Sequence, residues 1–294
     1  MKIMTNIFTI LLILTISSIS FSEIYPYRDG GTVIGNVQTY TTKDHESLIE
    51  IARTFGLGFN EIMQSNPDLD PFVPGEGMSV VIPTSWILPD VTSYKGIVIN
   101  LSEMRLYCFF TEKGARVVTT FPIGIGAEGD DTPEGNFRVI EKIENPSWYV
   151  PESIQKEKPY LPKVLPPGPD NPLGSHAMRL SLRTILIHGT NKPWGVGRRV
   201  SHGCIRLYPE DISKLFDLVP IGSSVTIIRQ PVKIGTKDNR VFVEVNNDDT
   251  EENCSYFNEA VKLIIKKNLL QNVSIDMLYK ALAERSGIPI DISN

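Results

Sequence analysis

Cysteine and histidine are both scarce in this chain: three of the first and four of the second in 294 residues, with no Cys-x-x-Cys pair. At least one cysteine is therefore unpaired, and a zinc site built on paired cysteines has no ligands to use. An excess of positive charge is missing too. Lysine and arginine total 29 against 34 acids, for a net charge of −5 and a pI near 5.5, which leaves nucleic-acid binding without support. Long apolar runs are confined to Ile7–Ile16, short of the roughly 20 residues a membrane span needs. What remains is ordinary for a globular protein, 41% hydrophobic and 21% charged, with room for two domains.

One segment stands apart from that acidic background. His188 to Tyr208 holds two of the four histidines, one of the three cysteines and the cations Lys192, Arg198, Arg199 and Arg206, with no acid among them. This set suits a cysteine nucleophile worked by a histidine. A thiol attacks as its thiolate, and an imidazole with cationic neighbours is expected to bring its pKa from about 8.5 toward neutrality. Strand-like Thr184–Ile187 would deliver His188 at its end, and the turn Ser201-His202-Gly203-Cys204 would return the thiol beside it. Gly203 permits close backbone approach, so its amide and that of Cys204 can face a developing oxyanion. Three plainer readings stand beside this one. Cys204 can be a structural cysteine with His188 and His202 as core residues; the three can form a zinc site without an obvious fourth ligand; or the cations can be a solvated loop face, which suits Lys192 better than Arg206.

Ser201-His202-Gly203-Cys204-Ile205-Arg206, with His188-Gly189-Thr190 sixteen residues before the cysteine, resembles the signature of L,D-transpeptidases of the YkuD type. Pro122-Ile123-Gly124-Ile125-Gly126, Thr132-Pro133-Glu134-Gly135, Asn145-Pro146-Ser147-Trp148 and the run Pro166 to Gly174 extend the likeness, toward the Gram-negative branch, over about Tyr94 to Lys233. The resemblance implies a mainly β fold with α-helices and a thiol acyltransferase that needs no cofactor or metal. Cys204 would be the nucleophile, His188 the proton donor and acceptor, and Gly189 the carbonyl that orients His188. Gly203 and Cys204 amides, with His202 nearby, would hold the oxyanion. Arg206, with Arg198, Arg199 and Ser201 as weaker candidates, would bind the substrate, since a guanidinium fork fits a carboxylate; a structural ion pair is the competing role for Arg206. The substrate implied is the peptidoglycan stem peptide. The acceptor would be an amine on an outer-membrane lipoprotein, on another membrane protein or on a second stem.

Along the chain, residues 1–22 read as a signal peptide: Lys2, an apolar core, and small residues Ser20 and Ser22 before a cut ahead of Glu23. An uncleaved anchor is the alternative. Cleavage would place the protein in the periplasm, where Cys204 is the candidate free thiol and a Cys108–Cys254 disulfide is open. Residues 37–83 show a β-α-α-β order with a Ser47–Glu50 capping-box spacing. They resemble a LysM module, which implies peptidoglycan glycan as a partner, although His45-Glu46 replaces the family's usual Gly-Asp and a spacer without sugar binding is the alternative. Residues 84–94 connect, and 95–231 form the β-rich catalytic domain, in which Asn145 to Leu173 is expected as an irregular flap over the thiol. The 232–294 extension reads as one strand, Arg240 to Val245, and two helices. Two other function classes stay open beside the transpeptidase: a hydrolase on the same stems, and an idle wall-binding protein.

Overall fold

The computed structural model describes residues 23–28, 30–248 and 255–294. The signal peptide assigned to residues 1–22 and Cys254 lie outside them. Cys108 is a free, buried thiol. The described chain opens with two strands that the sequence reading passed over, β1 (Ile24–Pro26) and β2 (Val33–Gly35).

The small unit follows in the expected order: β3 (Gln38–Thr41), α1 (Leu48–Thr54), α2 (Phe59–Ser65) and β4 (Ser79–Ile82), with β3 and β4 antiparallel. Ser47 starts α1 through a reciprocal capping box with Glu50, and Leu48, Ile51 and Ala52 face inward. The connection is itself a strand, β5 (Ser85–Ile87), paired with β2. Trp86, Ile87 and Leu88 are buried, so this stretch is a wedge between units and has none of a linker's freedom.

Next come β6 (Gly96–Asn100), β7 (Arg105–Glu112), β8 (Ala115–Pro122), β9 (Ile125–Gly126) and β10 (Gly135–Glu144). The Pro-rich crossing is more ordered than its composition implies. It holds β11 (Trp148–Tyr149), α3 (Glu152–Glu157) and β12 (Val164–Leu165), with β11 and β12 paired. Its prolines fall outside these three elements, and the Asn171 amide ties the return to the outset by donating to Pro146 O at 2.8 Å. Then follow β13 (His176–Leu180), β14 (Leu186–His188), β15 (Arg199–Ser201), β16 (Ile205–Arg206), α4 (Pro209–Leu218) and β17 (Ser224–Ile228). Among the described residues nine strands form one sheet in the order β1-β8-β7-β6-β17-β10-β13-β14-β16. β17 inserts at the middle, parallel to β6 and antiparallel to β10.

Strand alternation divides the sheet's two faces. Ile97, Ile99, Leu106 and Cys108 pack with Ile212, Leu215 and Phe216 of α4. Val98, Tyr107, Phe109 and Val118 point the other way and share a core with Leu48, Ile51, Leu57 and Ile62 of the small unit. The small unit thus shares a core with the main sheet.

The extension departs from the one-strand expectation. It carries β18 (Val232–Lys237), β19 (Arg240–Val245), α5 (Tyr256–Lys266), α6 (Ile275–Glu284) and β20 (Ile290–Asp291), with β18, β19 and β20 in one sheet. Helices and sheet close over their own core, which includes Ile234, Val243, Ile264 and Leu278. The missed β18 contains Lys233, a charge that masks strand alternation; its ammonium is buried between Glu103 and Glu244 at 2.7 and 2.8 Å.

Candidate active site

β14 and β16 are parallel neighbours, with Ile187 opposite Ile205 and His188 opposite Arg206. That register puts His188 and Arg206 on one face and brings Cys204, two residues before Arg206, to the level of Leu186 on the same face. The thiol is half-buried and donates to Thr184 O at 3.7 Å. His188 is 3% exposed. Its Nδ1 lies 2.6 Å from Gly189 O, and because a carbonyl only accepts, the proton sits on Nδ1 and Nε2 is the basic nitrogen. His188 makes a further hydrogen bond to the backbone carbonyl of Leu173, at the root of the flap.

Charge state differs from the expectation. Burial, and then the Arg206 cation, push His188 down to about 4, against the pull of its bonds to Gly189 and Leu173. Burial also pushes the Cys204 thiol up; the Leu186 backbone and the cations Arg206 and Arg179 oppose this and are outweighed. The thiol with a pKa lowered toward neutrality is therefore not found. Desolvation, invisible in a sequence that advertises four cations, decides the sign.

The turn carrying the thiol is held by side chains. Gly203 has φ +88°, a region glycine occupies without strain. The Thr132 hydroxyl donates to Gly203 O at 3.0 Å, and Ser201 Oγ donates to Cys204 O at 2.6 Å. Ser201 is 2% exposed, so it braces the turn and is removed from the substrate-binding set. His202 is exposed and pairs through Nδ1 with Asp130 Oδ2 at 2.6 Å.

Arg198 and Arg199 have contacts of their own in the fold. Arg199 donates to Asp131 Oδ1 at 2.6 Å and to Gly126 O at 3.3 Å. Arg198 lies over the Phe59 ring, 3.6 Å from its centroid, and so joins the catalytic loop to the small unit. Arg206 differs from both. It is partly buried and Cys204 is the charge that acts on it, while its Nε, like that of Arg198, has no hydrogen-bond partner among the described residues. The zinc reading loses its geometry: among the described residues no three His, Cys, Asp or Glu side chains converge as metal ligands.

Several residues around this site were not singled out from sequence. Thr132 lay in a quoted motif without a role, and Asp130 and Asp131 were given none. The small unit was also missed as part of the site. Phe59 N and Asn60 N, at the start of α2, donate to Val196 O and Gly197 O at 3.2 Å each, gripping the loop that leads to Cys204. Tyr208 OH donates to Leu57 O at 3.1 Å, and Arg53 pairs with Glu210 at 2.8 Å. The nearest signal in sequence was Gly197, whose φ of +76° and lack of a side chain admit the Phe59 backbone: a Cβ there would stand 2.1 Å from Phe59 N.

Comparison with known proteins gives a consistent picture. Residues 94–228 match the YkuD family model, described as the L,D-transpeptidase catalytic domain. The probable L,D-transpeptidase ErfK/SrfK of Escherichia coli strain K12 is 38% identical, over 98% of this chain and 97% of that protein. The probable L,D-transpeptidase YbiS of the same strain is also 38% identical, over 92% of each. The probable L,D-transpeptidase YcfS is 37% identical, over 90% of this chain and 86% of its own length.

Proposed function

The chain belongs to the YkuD-type L,D-transpeptidases, in the branch of ErfK/SrfK, YbiS and YcfS, and from that premise we propose that it transfers peptidoglycan stem peptides through a thioester on Cys204. The observation that supports this is the shared face of β14 and β16, which carries a buried, Nδ1-protonated His188, the Cys204 position and an Arg206 with no carboxylate partner among the described residues.

Cys204 Sγ attacks the carbonyl between the L-centre of meso-diaminopimelate and the terminal D-alanine. The S–C bond forms, the thiol proton passes to His188 Nε2, and the oxyanion is held by the Gly203 and Cys204 amides. Collapse breaks the C–N bond, and His188 returns the proton to the leaving amine of D-alanine. An acceptor amine then attacks the thioester carbon, the C–S bond breaks, and the amine's proton returns through His188 to sulfur. Arg206 holds a stem carboxylate; an Nε with no hydrogen-bond partner among the described residues supports this over a structural ion pair. The small unit binds glycan and, being fixed to the catalytic loop, holds the strand in register with the thiol. The protein works in the periplasm, and the acceptor is an amine of an outer-membrane lipoprotein or a second stem.

Intact-protein mass spectrometry after mixing with a disaccharide-tetrapeptide tests the reading. The expected result is a mass gain equal to the stem less D-alanine, absent in Cys204→Ala and discharged by an added acceptor amine. Release of D-alanine with no product on any amine would make the enzyme a carboxypeptidase. No adduct and no D-alanine would leave an idle wall-binding protein.

A further inference from the structure

Thr132 is 5% exposed and lies outside the segment that carries the thiol, yet its hydroxyl bonds in two directions. It accepts from Gly126 N–H at 2.9 Å and stands 3.0 Å from Gly203 O. Since the amide can only donate and the carbonyl only accept, the single hydroxyl proton is committed to Gly203 O. A peptide unit is planar and trans, so its C=O and the following N–H point in opposite directions. Fixing the Gly203 carbonyl on Thr132 therefore turns the Cys204 N–H to the opposite side. The next peptide is pinned as well, by Ser201 Oγ on Cys204 O at 2.6 Å. The left-handed Gly203 has no side chain to resist rotation of this peptide, and without the Thr132 bond the plane is free to flip.

We infer that Thr132 is a positioning residue for acyl transfer, holding the Gly203–Cys204 peptide so that the Cys204 amide faces the oxyanion. Its own position is fixed by the loop it ends. Ala127 N donates to Ser201 O at 2.8 Å, Asp130 N donates to Ala127 O at 3.0 Å, and Asp131 is paired with Arg199. The inference rests on the thioester mechanism above and adds to it the group that aligns an oxyanion donor.

Thr132→Val keeps the shape and removes the proton. An oxyanion-hole donor out of line typically costs about 10²–10³ in rate, so thioester formation from the tetrapeptide is expected to fall by about 10²-fold while KM stays within about twofold. Alkylation of Cys204 by iodoacetamide is the discriminating readout, because displacement at a saturated carbon forms no oxyanion; its rate should match that of the unaltered enzyme. Thr132→Ser should restore acylation to within about threefold. Unchanged acylation in Thr132→Val would overturn the inference, as would an equal loss of alkylation, which would mean a misplaced thiol. If the valine variant does not fold, a serine variant that folds yet loses acylation by about 10²-fold would overturn it too. Cys204→Ala that still releases D-alanine would remove the mechanism itself and not this step alone.

Discussion

Glu61→Gln tests how firmly the small unit is built into the catalytic frame. Arg105 is fully buried, and its Nε and Nη2 each lie 2.7 Å from a different oxygen of Glu61. The same carboxylate accepts from Trp86 Nε1 at 3.0 Å and from Gly58 N at 2.7 Å. A glutamine keeps one acceptor, turns an NH2 toward donors and leaves the guanidinium with that single oxygen, Gly56 O and Thr120 Oγ1 as its remaining partners. Removing one member of a buried pair costs about 3–5 kcal/mol. At roughly 2 °C per kcal/mol for a chain of this size, Tm should drop by about 6–10 °C in scanning calorimetry. Replacing both partners, Glu61→Leu with Arg105→Met, should recover part of the loss, since no unpaired charge then remains. Acylation should fall along with Tm in the single variant, because Gly58 and Glu61 set the start of α2, which holds Val196 and Gly197. A drop under about 2 °C, or a double variant worse than the sum of the singles, would refute the idea that this pair locks two units together.

Gly197→Ala would drive a Cβ into Phe59 N and force a left-handed alanine; about 2–4 kcal/mol of destabilisation and a loss of acylation are expected, read by urea unfolding and the adduct assay. Glu244 should make stability pH-dependent. Burial, reinforced by Glu103 and opposed by Lys233, raises its pKa above the ordinary carboxylate value. The folded state therefore binds its proton more tightly, and the contribution is full below about pH 4 and lost as pH rises through the folded value. The urea midpoint should fall between about pH 5 and pH 8 and flatten in Glu244→Gln; a midpoint that rises over that range would refute the sign.

The candidate site residues stood out in the sequence because chemistry restricts such sites to few residue types. A cysteine, two histidines and glycines in a stretch free of acids have few other uses, and the register of β14 with β16 brings His188, Cys204 and Arg206 together. Partners of the cations were not legible. Arg198 and Arg199 adjoin the motif, but Phe59 and Asp131 come from elsewhere in the chain, and charge in a sequence does not reveal its counter-charge. The fold shows the same limit. Ser47–Glu50 announced α1 because a capping box is local, whereas β1 and β2 are three residues each and exist through pairing with β8 and β5. β18 hid behind Lys233, whose burial depends on acids 130 residues before it and 11 after, at Glu103 and Glu244. Long-range pairing, by strand or by charge, accounts for what was missed.

The resting charge state of the site leads to the last prediction. With His188 lowered to about 4 and the thiol raised by burial, moving the proton from sulfur to Nε2 in the empty site is uphill, so the dyad rests as neutral thiol and neutral imidazole. Proton transfer has to accompany attack on a bound carbonyl. Such a thiol also resists oxidation, which follows thiolate character. Iodoacetamide reactivity should therefore fall tenfold per pH unit below the thiol pKa and still be rising at about pH 9. Acyl transfer should behave differently: it needs only neutral His188 and a protonated thiol, so its acid limb belongs near pH 4 with a plateau through about pH 8. Arg206→Gln removes a cation that depresses His188, which should move that limb to higher pH while weakening stem binding. An alkylation plateau near pH 6 would mean a preformed thiolate–imidazolium pair, and the neutral dyad would be wrong.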